Sequence, residues 1–277
     1  MRKIFFIAGF LTVILAGCNA DGRKAEALYQ RAETSFLAEN FSLAKLQIDS
    51  IRALYPKVFD VRKAGIKLMQ QVELKEQEKT LVYLDSALAA QQLLLDSIKG
   101  NFVLEKDTMY QETGNYFYPS QVVERNIGRS FLRAQVSETG EMSITSIYSS
   151  PNPIHHWAVR VSSGDLFAET PRTADGYETT NLGVVMEKAD YKLGNDGGVI
   201  AFIVSNRDKK SLKLEFIGDR KFVTYLYAND IKAIAAVNDL AKVLSAMEEI
   251  RKEQKEARLK IQFVTRKMQE GENKENE

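Results

Sequence analysis

The chain has 277 residues, 44% of them hydrophobic, with 38 Lys and Arg against 37 Asp and Glu. That balance gives no support for phosphate-backbone binding, which requires a basic patch or stripe, so no nucleic-acid partner is expected. The single cysteine, Cys18, excludes any disulfide within the chain and any cysteine-based zinc set.

Residues 1–17 read as an export signal. Arg2 and Lys3 precede an apolar run from Ile4 to Leu15, broken only by Gly9 and Thr12. The run is shorter than the roughly 20 residues of a membrane-spanning helix. Leu15-Ala16-Gly17-Cys18 closes it. This segment resembles the lipobox of bacterial lipoproteins, whose cysteine becomes the acylated first residue after cleavage. The resemblance implies palmitate-class acyl chains on Cys18, a membrane partner reached through that lipid, and a cell-envelope location. Asn19 in place of Asp after the cysteine goes with outer-membrane sorting and leaves the periplasmic or outward face open. Each buried methylene contributes about 0.8 kcal/mol, and two or more acyl chains give a stable anchor.

Residues 18–56 are expected to carry the anchor and a helical hairpin. Ala25, Leu28, Tyr29, Ala32, Phe36 and Leu37 share one helical face. Asn40 breaks the pattern, Ser42 is the expected cap of a second helix bearing Leu43, Ala44, Ile48, Ile51 and Leu54, and Tyr55-Pro56 ends it. The order A-x-x-L-Y-x-x-A, N-F-x-x-A, Y-P resembles one tetratricopeptide repeat, departing from it where Ser35 stands in place of an aromatic. One such repeat cannot cover its own apolar face.

Residues 57–100 and 231–270 are expected to be long helices. Leu81, Leu84, Leu88, Gln91, Leu95 and Ile98 follow a three-four seam, as do Val237, Leu240, Leu244, Met247, Ile250, Gln254, Ala257, Ile261, Val264 and Met268. Polar stretches in both helices suggest an antiparallel coiled coil with Gln77 opposite Glu253. The same seam closed between two copies would instead make a homodimer. Residues 271–277 read as a disordered tail.

Residues 101–230 concentrate the glycines, prolines and aromatics and read as an antiparallel β sandwich or barrel inserted between the helices, giving an α+β chain. The expected strands are Ser130–Val136, Met142–Tyr148, Trp157–Val161, Leu166–Glu169, Leu182–Glu187, Val199–Val204, Ser211–Ile217 and Phe222–Tyr227, with Asn195-Asp196-Gly197-Gly198 as a hairpin turn.

No hydrolase elbow, phosphate-binding glycine loop or helical zinc motif is present, so no enzyme activity, catalytic residue or cofactor is expected. His155 and His156 are neighbours that a strand would point to opposite faces, and they read as surface or strand-edge residues rather than metal ligands. Asp175, Asp190, Asp196, Glu169 and Glu187 are candidate carboxylates whose spacing pairs no two of them. Tyr116, Tyr118, Trp157 and Tyr177, with Tyr110 nearby, are the candidate ligand-binding rings. The expected function is a membrane-tethered scaffold or adaptor presenting the β domain to an envelope protein. The alternative is a glycan-binding lipoprotein that uses the aromatic loops.

Overall fold

The structure, a computed structural model, describes residues 8–107, 109–173, 176–181 and 183–276, without the side chains of residues 8–19 and 274–276. The proposed signal segment in its first seven residues, the Cys18 side chain and Asp175 thus lie outside the described residues. The fold is α+β, with two open antiparallel sheets of six and four strands. Neither sheet closes, so a barrel is excluded and two separate sheets remain. The chain divides into two compact units, one formed up to Ser86 and from Lys252 onward, the other Ala87–Arg251.

The first unit is helical. Helix α1 (Ala8–Leu37) turns into α2 (Phe41–Leu54), and α3 (Phe59–Ile98) follows. Asn40, not Ser42, caps α2, its side-chain oxygen accepting from Leu43 N at 3.2 Å. Glu39 reaches φ 58°, and Asn40 N returns to Ser35 O at 2.9 Å, closing α1 in a left-handed cap. Ala32, Ala44 and Ile48 of the hairpin are buried against Leu68 and Val72 of α3. This third helix covers the face that a lone repeat leaves open. Ser35, at the position where the repeat family carries an aromatic, is itself buried and donates to Gln47 Oε1 at 2.9 Å. The α1–α2 contact is therefore pinned by a hydrogen bond at that level, and Phe36 packs beside Phe41, with ring centroids 6.4 Å apart.

Helix α5 (Ala228–Asn276) runs antiparallel to α3 in this unit. Leu84, Gln254, Ala257 and Val264 are buried, with Leu81, Ile261 and Met268 half-buried, so the three-four seam is the packed face. The register differs from the expected one by about two to three helical turns. Gln77 shares a groove with Lys260 and Phe263 rather than facing Glu253, and Gln254 Nε2 donates to Asp85 Oδ1 at 2.7 Å. The cause lies at the start of α5, whose first turns bury Ile231, Ile234, Val237 and Leu240 in the second unit before the helix reaches its partner. Helix α5 also continues to Asn276, where a disordered tail was expected. Glu272, Lys274 and Glu275 favour propagation of a helix already started, against the weaker formers Gly271, Asn273 and Asn276. Among the described residues no helix is long and apolar enough to cross a membrane.

The second unit holds strands β1 (Val103–Glu105), β2 (Asn115–Phe117), β3 (Phe131–Ser137), β4 (Met142–Ser150), β5 (Ala158–Ser163), β6 (Leu166–Glu169), β7 (Gly176–Asn181), β8 (Val184–Lys192), β9 (Ser211–Ile217) and β10 (Lys221–Tyr227). One sheet runs β1-β2-β3-β4-β8-β7 and the other β10-β9-β5-β6. Their inner faces, with the start of α5 and the end of α3, enclose one core that includes Leu132, Ile144, Val161, Leu214 and Phe216.

Val199–Val204, expected to be a strand, is helix α4 (Val199–Ser205). The run is apolar without alternation, which suits a buried helix turn as well as a strand. Asp196 decides the matter, because its carboxylate accepts from Ile200 N at 2.7 Å and from Gly194 N at 3.2 Å. Asn195–Gly198 is accordingly the lead into α4 rather than a hairpin turn. A Cβ at Gly197 would lie 1.9 Å from Glu169 O, which fixes glycine there.

Candidate functional site

The second unit carries a cleft of about 560 Å³ with a chemically varied lining. Its walls are the segment His155–Trp157 before β5, Arg172 and Thr173 after β6, the start of β7, Lys188 on β8, and Asp219 in the β9–β10 turn. Strand β7 ends the six-stranded sheet, pairing only with β8, and five of its six residues are exposed. The cleft thus borders an open sheet edge.

The cleft floor is built around Glu187. This inward side chain of β8 is buried, as are His156 and Ser146. Glu187 Oε1 accepts from Ile154 N at 2.7 Å and His155 N at 2.9 Å. Oε2 accepts from His156 N and faces His156 Nδ1, both at 2.8 Å. Burial works to raise the Glu187 pKa, but the four N–H donors outweigh it and hold the carboxyl below its ordinary value. Burial likewise pushes His156 below the ordinary imidazole value, against the opposing pull of Glu187. The ring is therefore neutral at pH 7. Its one proton belongs on Nδ1, since Glu187 can only accept. Nε2 then accepts from the Ser146 hydroxyl at 2.7 Å.

Serine, histidine and a carboxylate in this order have the connectivity of a hydrolase triad. Here the serine is 0% exposed, and its Oγ also lies 3.3 Å from Ala189 O. A hydroxyl sealed in the core cannot meet a substrate carbonyl. What the arrangement does is clamp residues 154–156 onto β4 and β8, fixing the position of Trp157. His156 was expected at a surface or strand edge. The clamp explains its burial, because an imidazole with both nitrogens bonded can be buried at little cost.

His155 lies at the cleft mouth, exposed and with φ 49°. Its Nδ1 is 2.8 Å from Asp219 Oδ2 and its Nε2 3.8 Å from Glu178 Oε2. The Asp219 hydrogen bond raises its pKa above the ordinary value, aided by the charge of Glu178. The two histidines thus serve different carboxylates. Among the described residues no group of three or more such side chains could hold a metal ion.

The four candidate rings do not form one platform. Tyr116 is 4% exposed and belongs to the core, so its chemistry is packing. Tyr118 is half-buried edge-on to Phe102, with centroids 6.0 Å apart. Trp157 and Tyr177 do line the same cleft. The Trp157 ring, however, has the Arg172 guanidinium 4.3 Å from its centroid, leaving Tyr177, 63% exposed, as the open ring. Tyr110 is exposed outside the cleft.

The described carboxylate candidates are each committed separately. Asp196 caps α4, Glu187 holds His156, Glu169 takes Arg160 Nε at 2.6 Å, and Asp190 accepts from Thr145. Of these four only Glu187 lines the cleft, where a glycosidase would need a facing pair. Arg172 and Lys188 form no ion pair with any described residue and give the cleft its open cations. Sequence reasoning missed both, along with Ser146, for nothing in their local pattern marks them. Compared with known proteins, the chain matches no family model, no curated protein and no solved structure.

Proposed function

We propose that the chain is a cell-envelope lipoprotein, tethered through lipid on Cys18, that acts as a non-catalytic adaptor and receives an extended segment of a protein partner at the β7 edge. The supporting observation is the juxtaposition of an exposed terminal strand with a cleft bearing Tyr177, Arg172 and Lys188. An open edge supplies main-chain hydrogen bonds to an added strand, and the neighbouring cleft supplies side-chain selection. Arg172 and Lys188 favour a partner segment with an acidic residue beside an apolar one. The sealed Ser146 hydroxyl weighs against acyl transfer, and the Arg172-covered face of Trp157 weighs against sugar stacking.

The test is affinity capture from gently solubilised envelopes, comparing the native chain with Tyr177→Ala, Lys188→Glu and the mislocalised Cys18→Ser. One dominant protein retained by the native chain and lost with both cleft variants is expected. A protein captured equally by the cleft variants would move the contact elsewhere on the chain. Recovery of glycan alone would replace the adaptor by a glycan receptor.

A further inference from the structure

The turn between α2 and α3 carries apolar side chains that no described residue covers. Leu54 is 65% exposed and Phe59 72% exposed. Both line a depression of about 610 Å³ with Tyr55, Lys57 and, from α1, Asp21 and Gly22. Asp21 is three residues beyond Cys18, a span of at most about 10 Å of chain. The turn therefore sits at the end of the hairpin where the lipid would be attached. At the other end of α1, Leu37 is also exposed but lies sixteen residues from Asp21, about 24 Å along the helix.

The tip is held as a formed surface rather than a loose loop. Arg62 Nη1 donates to Pro56 O at 2.7 Å, and the Arg62 guanidinium lies 5.9 Å from the Phe59 ring centroid. Lys57, at the apex, is exposed and forms no ion pair with any described residue. Asp21 and Asp60 stand beside Lys57 and Arg62 around these apolar side chains, so the charged rim is mixed. It is the exposed Leu54 and Phe59, with long cationic side chains able to reach the headgroups, that suit the boundary between acyl chains and headgroups.

We infer that the Tyr55–Phe59 turn is a second membrane contact, inserting Leu54 and Phe59 into the interfacial layer of the bilayer that holds the Cys18 lipid. This inference rests on the tether proposed above. With two points of contact the first helical unit would be seated against the membrane rather than swinging from a single residue.

The experiment uses the full lipidated chain in a Trp157→Phe background, since Trp157 is the only tryptophan. Phe59→Trp and, separately, Leu37→Trp place a probe at either end of α1, both at exposed positions that should not disturb folding. Each is reconstituted into phosphatidylethanolamine and phosphatidylglycerol vesicles whose acyl chains are brominated close to the headgroup. The Phe59→Trp probe should be quenched at least threefold more than the Leu37→Trp probe and should emit at shorter wavelength. A chain that floats with the vesicles but quenches equally at both positions overturns the second contact and leaves the tether intact. A chain that fails to float, and behaves as Cys18→Ser does, overturns the tether and the contact with it. A concentration-dependent blue shift of the Phe59→Trp probe in Cys18→Ser without vesicles would assign the surface to a second copy instead.

Discussion

His156 Nδ1 lies 2.8 Å from Glu187 Oε2, and the same carboxylate receives the backbone N–H groups of residues 154, 155 and 156. One buried side chain thus satisfies four donors and ties the segment before β5 to the middle of β8. Replacing it by an amide would turn an NH₂ group toward N–H donors. Glu187→Gln should therefore cost about 3 kcal/mol of stability, a loss typical of breaking a buried charged contact. Urea unfolding of the variant checks this, and a cost below about 1 kcal/mol would show that other contacts hold the segment.

The same pair sets a pH dependence. His156 is depressed in the folded chain, so the unfolded chain takes up a proton first as pH falls through about 6.5. Glu187 is also depressed, and its contribution, full above the unfolded value, is lost as pH falls through the lower folded one. Both effects make acid destabilising, His156 from below neutrality and Glu187 at more acid pH. His155 has a raised value and acts in the opposite sense, its contribution fading as pH rises through the folded pKa, but it is exposed and solvent-screened. Unfolding midpoints at pH 7.5 and 5.5 should differ in the native chain. The difference should shrink in His156→Gln, and an unchanged difference would locate the titration elsewhere.

Gly140, in the β3–β4 turn, has φ 89°, and a Cβ there would lie 2.3 Å from Ser245 N on α5. Ser245 Oγ donates to Gly140 O at 2.9 Å, so the turn and the helix touch backbone to backbone. Gly164 has φ 62° with open space around it. Gly164→Ala should cost about 1 kcal/mol, the left-handed penalty alone. Gly140→Ala should cost at least about 2 kcal/mol more, because backbone must shift. Melting of the two variants side by side separates strain from collision, and equal costs would mean that the turn relaxes freely.

Gln254 is the one polar residue on the α5 side of the seam and is buried, bonded to an exposed Asp85. Such residues fix register at some expense of stability. Gln254→Leu should leave stability unchanged or raise it by about 1 kcal/mol, while permitting alternative pairings of α3 and α5. Sedimentation of the variant should then reveal dimers or mixed species absent from the native chain. A wholly monomeric and uniform variant would remove the register role.

The α+β composition and the seam were legible because each depends on local periodicity. Leu84, Leu95, Leu244 and Val264 are buried at spacings that the sequence displays openly. Register was not legible, since it depends on how many turns of α5 the second unit consumes first, and Ile231 and Ile234 look like any other apolar pair. The strand reading of Val199–Val204 failed for want of knowing that Asp196 would cap it. The Glu187 clamp was out of reach for a further reason. Glu187 stands 31 residues from His156 and 41 from Ser146. The pairing of β4 with β8 brings Ser146 beside Glu187, and the segment before β5 must then fold back to set His156 against both.

The contact between Asp85 and Gln254 joins positions 169 residues apart. Everything between them, save its first and last residues, is the second unit, while the strand-free helical unit is completed only by the final stretch of chain. An unfolded loop of that length carries a substantial closure entropy, which falls once the intervening chain has become a compact body with neighbouring ends. The molecule should accordingly acquire its structure from the inside outward. The β sheets should form before α5 zips onto α3, and refolding kinetics should show a late helical phase that slows when the sheets are weakened.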